Sequence, residues 1–464
     1  MELALLIDIG STYTKVALFD LQGIRLTGRN QAYTTVERDV TIGLKKALSG
    51  LQGWEQARYK LACSSAAGGL KIIAIGLVPD LTAEAARRAA LGAGGKVLKT
   101  YSYELTNRDM EDIKTLDSDI ILLAGGTDGG NKDNIIHNAR MLAGSNLDQP
   151  VIVAGNKSAA EEVGGILRKA GKETYLTENV MPELEELNIE PARELIRNIF
   201  LKKIIQAKGL DRVNELIDGV IMPTPAAVLK AAELLADGFA EEEGLGELMV
   251  IDVGGATTDV HSIASGKPSR PGVNWRGLEE PYSKRTVEGD LGMRYSAPSL
   301  YSAIGSDSFR EQLEECGYSD ISKDKYEAMI NRLHQDVEYI PKNQEEQIID
   351  NLLGRNAVRL AVARHVGLLK TIYTPMGASS LQEGKDLTGI KYVIGTGGII
   401  VNNDDPGFIL AGALYRNQKR PELLAPVEPD FMVDREYLLA AAGLLAEITP
   451  ETSLRLMKKY LEKV

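Results

Sequence analysis

The chain has 464 residues, room for two or three domains, and its 44% hydrophobic and 25% charged content is that of an ordinary globular fold with a sizeable core. A net charge of −12 with no basic patch argues against nucleic acid as a partner. Cys63 and Cys316 are the only cysteines and the four histidines stand singly, so no zinc or iron–sulfur site is expected and a reducing cytoplasm is.

The opening MELALLIDIG lacks the basic n-region of a signal peptide, and no run approaches a membrane span, so a cytoplasmic protein without a membrane partner is expected. Residues 3–20, LALLIDIGSTYTKVALFD, read as an apolar strand ending in Asp8, then Gly10, Ser11, Thr12, Thr14 and Lys15, then an apolar return strand. Glycine there permits positive φ and lets a ligand approach bare backbone. A third strand over 25–37 follows, and Asp39 is placed to cap a helix reaching about Leu51. The glycine-rich 64–71, SSAAGGLK, lacks the Gly-Lys-Ser/Thr ending of a Walker loop and reads rather as a tight turn between strands. A helix over 82–91 comes next.

Residues 119–124 form a buried strand running into 125–131, GGTDGGN. That loop is either a ligand loop carrying Asp128 or simply the turn into a helix over 134–142. A strand at 151–154 and a helix at 157–170 complete a β-α-β-α pattern, hence a parallel sheet. Residues 183–208 read as a charged surface helix. In 220–238, Pro223 and Pro225 precede a helix whose Ala226, Ala227, Ala231 and Ala232 suit close crossing of another helix.

The device of the N-terminus then returns. Residues 247–263, ELMVIDVGGATTDVHSI, give an apolar strand ending in Asp252, the pair Gly254-Gly255, Thr257 and Thr258, and a second strand. Successive N–H groups in such turns can cradle phosphate oxygens, and a carboxylate at each strand end suits a magnesium ion that keeps most of its waters. Two copies of one uncommon hairpin suggest two related halves clamping a polyphosphate. Residues 266–285 read as loop, 345–371 as one long helix with a single apolar face, and 391–402 as a strand with a turn at Gly395, Thr396, Gly397 and Gly398. Helices over 406–414, 434–443 and 451–462 close the chain.

The order Asp8 hairpin, Pro-Ala helix, Asp252 hairpin, Gly395–Gly398 turn and Ala411-Gly412-Ala413 helix resembles the actin, Hsp70 and sugar-kinase superfamily of ATP-binding proteins. Within it, LLIDIGSTYTKVALFD, SSAAGGLK, LLAGGTDGGN, MPTPAAVLKAAELL and VIDVGGATTDVHSI look like the glutamate mutase (methylaspartate mutase) accessory proteins of the MutL type. The resemblance implies an α/β fold of two ribonuclease H-like domains around a nucleotide cleft, with residues 1–240 plus 400–464 in the first domain and 241–399 in the second. It implies an ATP-dependent reactivating factor for an adenosylcobalamin-dependent mutase, one that promotes exchange of damaged cobalamin. Asp8 and Asp252 would face the magnesium–water cluster as catalytic carboxylates. Gly10, Ser11, Thr12 and Lys15 would contact phosphates from one side, and Gly254, Gly255, Thr257 and Thr258 from the other. Gly395–Gly398 would pack on adenosine, and Asp290 would lie near the nucleotide. Met222-Pro223-Thr224 stands where many relatives in the superfamily carry an acidic residue, so the catalytic base is unassigned and slow hydrolysis is expected. A small-molecule kinase of the same fold is the alternative, with Asp128 the best of few candidates for its base. No feature demands a filament, and a homo-oligomer stays open.

Overall fold

The computed structural model of the chain describes residues 2–10, 12–35, 39–65, 70–206, 217–374, 377–418 and 420–464. By contacts it divides into two compact units, Met1–Ala227 with Gly277–Glu279, and Val228–Arg276 with Glu280–Val464.

The first unit holds two sheets. Strands β1 (Leu3–Ile9), β2 (Tyr13–Asp20) and β3 (Arg25–Tyr33) form an antiparallel meander, and β4 (Tyr59–Ser64) runs parallel to β1. The segment between β3 and β4 contains a helix, Val40–Ser49, whose cap is Asp39: its Oδ1 accepts from the Thr41 N–H at 2.8 Å. A second sheet follows from β5 (Lys71–Gly76), β6 (Lys96–Ser102), β7 (Ile120–Leu123), β8 (Val151–Val153) and β9 (Thr174–Leu176). All its pairings are parallel, in the order β6-β5-β7-β8-β9, as the alternation of strand and helix predicts. The chain then returns to the first sheet as β10 (Gly219–Pro223), parallel to β4. The first sheet thus reads β10-β4-β1-β2-β3. Its apolar strand β1 is buried against Val40, Leu44, Ala47 and Leu48 of the capped helix.

After a helix, Thr224–Asp237, and a two-residue hairpin, β11 (Gly238–Phe239) with β12 (Glu242–Glu243), the second unit repeats the plan. Strands β13 (Leu248–Val253) and β14 (Thr258–Ile263) are antiparallel. β16 (Ser283–Glu288) is antiparallel to β14, and β19 (Tyr392–Thr396) and β20 (Asp430–Val433) add on in parallel. The order β16-β14-β13-β19-β20-β21, with β21 (Glu462–Lys463) at the edge, repeats that of the first sheet in order and strand direction. This duplicated ribonuclease H-like arrangement is the expected fold class. Three strands, β15 (Val273–Arg276), β17 (Leu368–Thr374) and β18 (Gly377–Glu383), make a separate small sheet. Among the described residues no helix is long and apolar enough to cross a membrane.

Three expectations are corrected. Residues 400–464 group with the second unit, because β20 extends its sheet beside β19. The expected helix over 406–414 is broken into a helix, Pro406–Leu410, and a tighter turn, Ala411–Ala413, which packs on the helix Gln344–His365: a Cβ on Gly412 would lie 2.2 Å from the Arg355 carbonyl oxygen. That long helix also ends at His365 instead of continuing to 371. At Gly367 the chain passes so close to Gly384 that a Cβ would meet its carbonyl carbon at 2.6 Å, and the β-branched run beyond pairs as β17. The helix is buried over several faces, with Ile349, Leu353, Asn356, Ala357, Val358 and His365 all inside, so one apolar stripe does not describe it.

The packing predicts opposite outcomes for two glycines. Gly412→Ala forces a methyl against the Arg355 backbone and lowers the unfolding free energy by about 1–3 kcal/mol, read from urea titration. Gly165→Ala, in the helix Lys157–Lys169 with nothing within 4 Å of the new Cβ, raises it by about 0.5–1 kcal/mol.

Candidate functional site

Each hairpin is closed the same way. In the first, the Gly10 N–H donates to the Tyr13 carbonyl at 3.1 Å; in the second, the Gly254 N–H donates to the Thr257 carbonyl at 2.9 Å. Asp8 and Asp252 occupy the same place, the last residue but one of the first hairpin strand, beside a parallel neighbour. Asp8 pairs with Cys63 of β4 and Asp252 with Thr396 of β19. Both lie at carboxyl ends of central strands, where open α/β sheets bind ligands.

Around Asp8 the surroundings are specific. Its Oδ1 accepts from the Thr224 hydroxyl at 2.7 Å and lies 3.6 Å from the Cys63 thiol; its Oδ2 lies 4.0 Å from the Lys15 ammonium. Burial, and then the neighbouring Asp8 charge, push the Cys63 thiol well up, so it stays protonated and can donate. Lys15 is brought to Asp8 by register, as its direct antiparallel partner. Gly10 and Thr12 are half-buried at the turn, and Ser11 lies outside the described residues.

The second hairpin is roofed by the 288–293 turn. Met293 and Arg294 N–H groups donate to the Gly254 and Gly255 carbonyls at 3.0 and 2.8 Å, and Gly292 sits so tightly that a Cβ would be 2.3 Å from the Ala256 carbonyl carbon. Gly254, Gly255 and Thr257 are half-buried. Thr258 is fully buried, and its hydroxyl donates to the Leu291 carbonyl at 2.7 Å. That side chain holds the turn together and points away from any surface ligand. Thr257 donates to Asp259 Oδ2 at 3.1 Å, and Asp259 Oδ1 takes both the Nη2 and Nε protons of Arg285, at 2.6 and 2.9 Å. Asp290, in this turn and expected near the nucleotide, is held by both terminal nitrogens of Arg364, at 2.7 and 2.9 Å.

In the turn after β19, Gly397 has φ of 93° and presses on β13: a Cβ would stand 2.3 Å from the Val253 carbonyl oxygen. Gly395 and Thr396 are buried, Thr396 within 3.4 Å of Asp434 Oδ2. Asp434 in turn accepts the Leu438 and Leu439 N–H groups at the start of a helix, Leu439–Leu445. Of the four turn residues only Gly398 is exposed; an added Cβ there would lie 3.7 Å from the Tyr437 hydroxyl.

Asp128 is not poised as a base. Its Oδ1 accepts from the Lys157 N–H at 2.8 Å and the Asn179 amide at 2.9 Å, capping a helix in the all-parallel sheet. The middle of the 64–71 stretch, 66–69, lies outside the described residues. Among the described residues no three His, Cys, Asp or Glu side chains gather to hold a metal. A single half-buried carboxylate such as Asp8 is the kind of group that suits an ion keeping most of its waters, as magnesium does. Sequence reasoning missed the roles of Cys63, Thr224, Asp259 and Arg285. Their partners are 26 to 216 residues away, so no local pattern in the chain marks them.

Comparison with known proteins agrees with the motifs. A family model described as MutL protein matches residues 4–461. The chain is 51% identical over 469 residues to Protein MutL of Clostridium tetanomorphum, with 100% of each covered. Solved structures that it resembles include a glycerol dehydratase reactivase (11% identity, TM-score 0.35, 96% of this chain and 99% of that one). A diol dehydratase-reactivating factor in nucleotide-free form gives 10%, 0.35, 96% and 99%, and the ROK hexokinase of Thermus thermophilus 13%, 0.24, 98% and 97%. Scores this low carry no argument; the fold rests on the sheet orders.

One titration follows from the second sheet. His261, paired with Val250 and Arg285, is buried with no hydrogen-bond partner for either ring nitrogen among the described residues. Burial, then the Arg285 charge, hold it down at about 3. Its folded value is thus below the unfolded value of about 6.5. The unfolded chain binds the proton first, so the stability this site contributes is present above 6.5 and lost as pH falls toward 3. His365, buried and also depressed, acts in the same direction. Unfolding free energy should fall between pH 6.5 and 5 by about 1.4 kcal/mol per unit per buried histidine, and His261→Leu should flatten that slope in denaturant titrations at several pH values.

Proposed function

The chain belongs to the MutL protein family, and from that premise we propose that it is an ATP-dependent reactivating chaperone for an adenosylcobalamin-dependent mutase, with glutamate mutase the first candidate. The family match across residues 4–461 carries this reading. The duplicated hairpin supports its ATP dependence: two glycine turns with backbone donors, each following a strand that ends in an aspartate.

In this reading Asp8 and Asp252 face a magnesium–water cluster. Lys15, Gly10, Ser11 and Thr12 contact phosphates, as do the backbone of Gly254 and Gly255 and the hydroxyl of Thr257. Thr258 and Thr396 keep the turns in shape, and Gly397 and Gly398 border the adenosine. Magnesium would supply charge neutralisation of the phosphates; the chain's own groups orient them and set the position of the metal's water shell. With no acidic residue at Met222-Pro223-Thr224, turnover is slow and ATP acts mainly as a conformational ligand. A ligand shifts a two-state protein only through its different affinity for the two states, so the mutase must prefer one nucleotide state. Exchange or hydrolysis then changes the hold on the mutase and releases cobalamin that has lost its adenosyl group. The kinase alternative is weakened by Asp128, whose carboxylate caps a helix.

The test uses glutamate mutase inactivated with cyanocobalamin, then supplied with adenosylcobalamin, Mg-ATP and this protein. Activity should return with the wild type and fail to return with Asp252→Ala. Equal recovery without ATP, or efficient phosphorylation of a free small molecule, would overturn the chaperone reading.

A further inference from the structure

The two oxygens of the Asp8 carboxylate have different surroundings. Its Oδ1 meets the Thr224 hydroxyl at 2.7 Å and the Cys63 thiol at 3.6 Å; among the described residues its Oδ2 meets only the more distant Lys15 ammonium, at 4.0 Å. Thr224 has a single hydroxyl proton, and 2.7 Å is the length of a strong hydrogen bond to a charged acceptor. The thiol proton has two acceptors in range, Asp8 Oδ1 and the Ile7 carbonyl at 3.7 Å. The thiol is a weak second donor beside Oδ1.

These three groups come from separate parts of the chain. Asp8 sits on β1 and Cys63 beside it on β4. Met222 of β10 pairs with Cys63, and Thr224, two residues on, opens the following helix. The carboxylate is 15% exposed, so Oδ1 is turned into the sheet and its rotation about the Cβ–Cγ bond is restrained by two donors on one side.

We propose that Thr224 and Cys63 are positioning residues for Asp8: by occupying Oδ1 they fix the carboxylate plane so that Oδ2 is the oxygen presented to the metal–water shell of bound nucleotide. This rests on the Mg-ATP reading above. Thr224 is the dominant member, because its bond is shorter and its donor stronger; Cys63 is the lesser. Neither touches nucleotide.

Thr224→Val keeps the shape and removes the proton; Thr224→Ser keeps the proton; Cys63→Ala removes the thiol. ATP affinity is measured by calorimetry across a magnesium series and again in EDTA. Mn2+ bound with ADP is followed by electron paramagnetic resonance, and the apo melting temperature is recorded for each variant. Thr224→Val should raise the magnesium and manganese needed for half-saturation about 10-fold or more, the usual effect of losing an outer-shell partner. It should leave ATP affinity in EDTA and the apo melting temperature close to wild type. Thr224→Ser should restore most of the metal affinity, and Cys63→Ala should shift it less than Thr224→Val. An unchanged metal dependence in Thr224→Val overturns the proposal. So does equal loss of EDTA-measured ATP affinity and of melting temperature, which would mark Thr224 as structural only. Failure of the underlying reading is distinct: the wild type itself would bind neither ATP nor manganese–ADP, and the proposal would fall with it.

Discussion

Register between parallel strands is the constraint on which the site depends. β1 and β4 pair so that Asp8 lies beside Cys63; β4 and β10 pair so that Cys63 lies beside Met222. Only then does Thr224 reach the Asp8 carboxylate at 2.7 Å. In the second unit the same logic sets Asp252 beside Thr396, and the β20 register, ending with Val433 beside Gly395, delivers Asp434 next to Thr396. Side chains alternate across a sheet with period two, so a slip of one residue would send Asp8 to the opposite face. That register is secured by burial: Leu5, Ile7 and Ile9 on β1, and Met249, Ile251 and Val253 on β13, lie in their cores with almost no exposed surface.

Close backbone approach is the second constraint, and it acts mainly in the second unit. Gly292 under Ala256 and Gly397 against Val253 leave no space for a Cβ, so the second hairpin's turn is packed from two directions by other loops. This packing explains why some residues of the motif are structural. Thr258 and Thr396 have their hydroxyls bonded inward, to Leu291 and Asp434, and hold the loops in contact. The first hairpin carries a lysine, Lys15, opposite its aspartate; at the matching position of the second stands Asp259, neutralised by Arg285. The two hairpins share a backbone plan and differ in local charge.

Much was written locally in the chain. The continuous apolar runs LALLIDI and LMVIDV, each holding an aspartate near its end and followed closely by glycine, are enough to specify a buried strand and a tight turn, because the burial pattern and the missing Cβ at Gly10 and Gly254, close to the Tyr13 and Thr257 carbonyls, act over a few residues. The Asp39 cap, the parallel strands at residues 119–124 and 151–154, the duplication and the family were legible for the same reason. Less legible were the elements set by distant partners. The end of the helix Gln344–His365, the strand Leu368–Thr374 and the attachment of residues 400–464 all depend on where another segment passes.

The amino-acid sequence by itself determined the two hairpins, their aspartates and the kinship of the chain, since these rest on periodicity, glycine and short-range spacing. Tertiary structure alone decided what each carboxylate touches. The Thr224–Asp8 bond joins residues 216 apart, and the Asp259–Arg285 pair spans 26. Such contacts are products of strand order and crossover, which bring remote strand ends side by side while leaving no periodic trace in the chain.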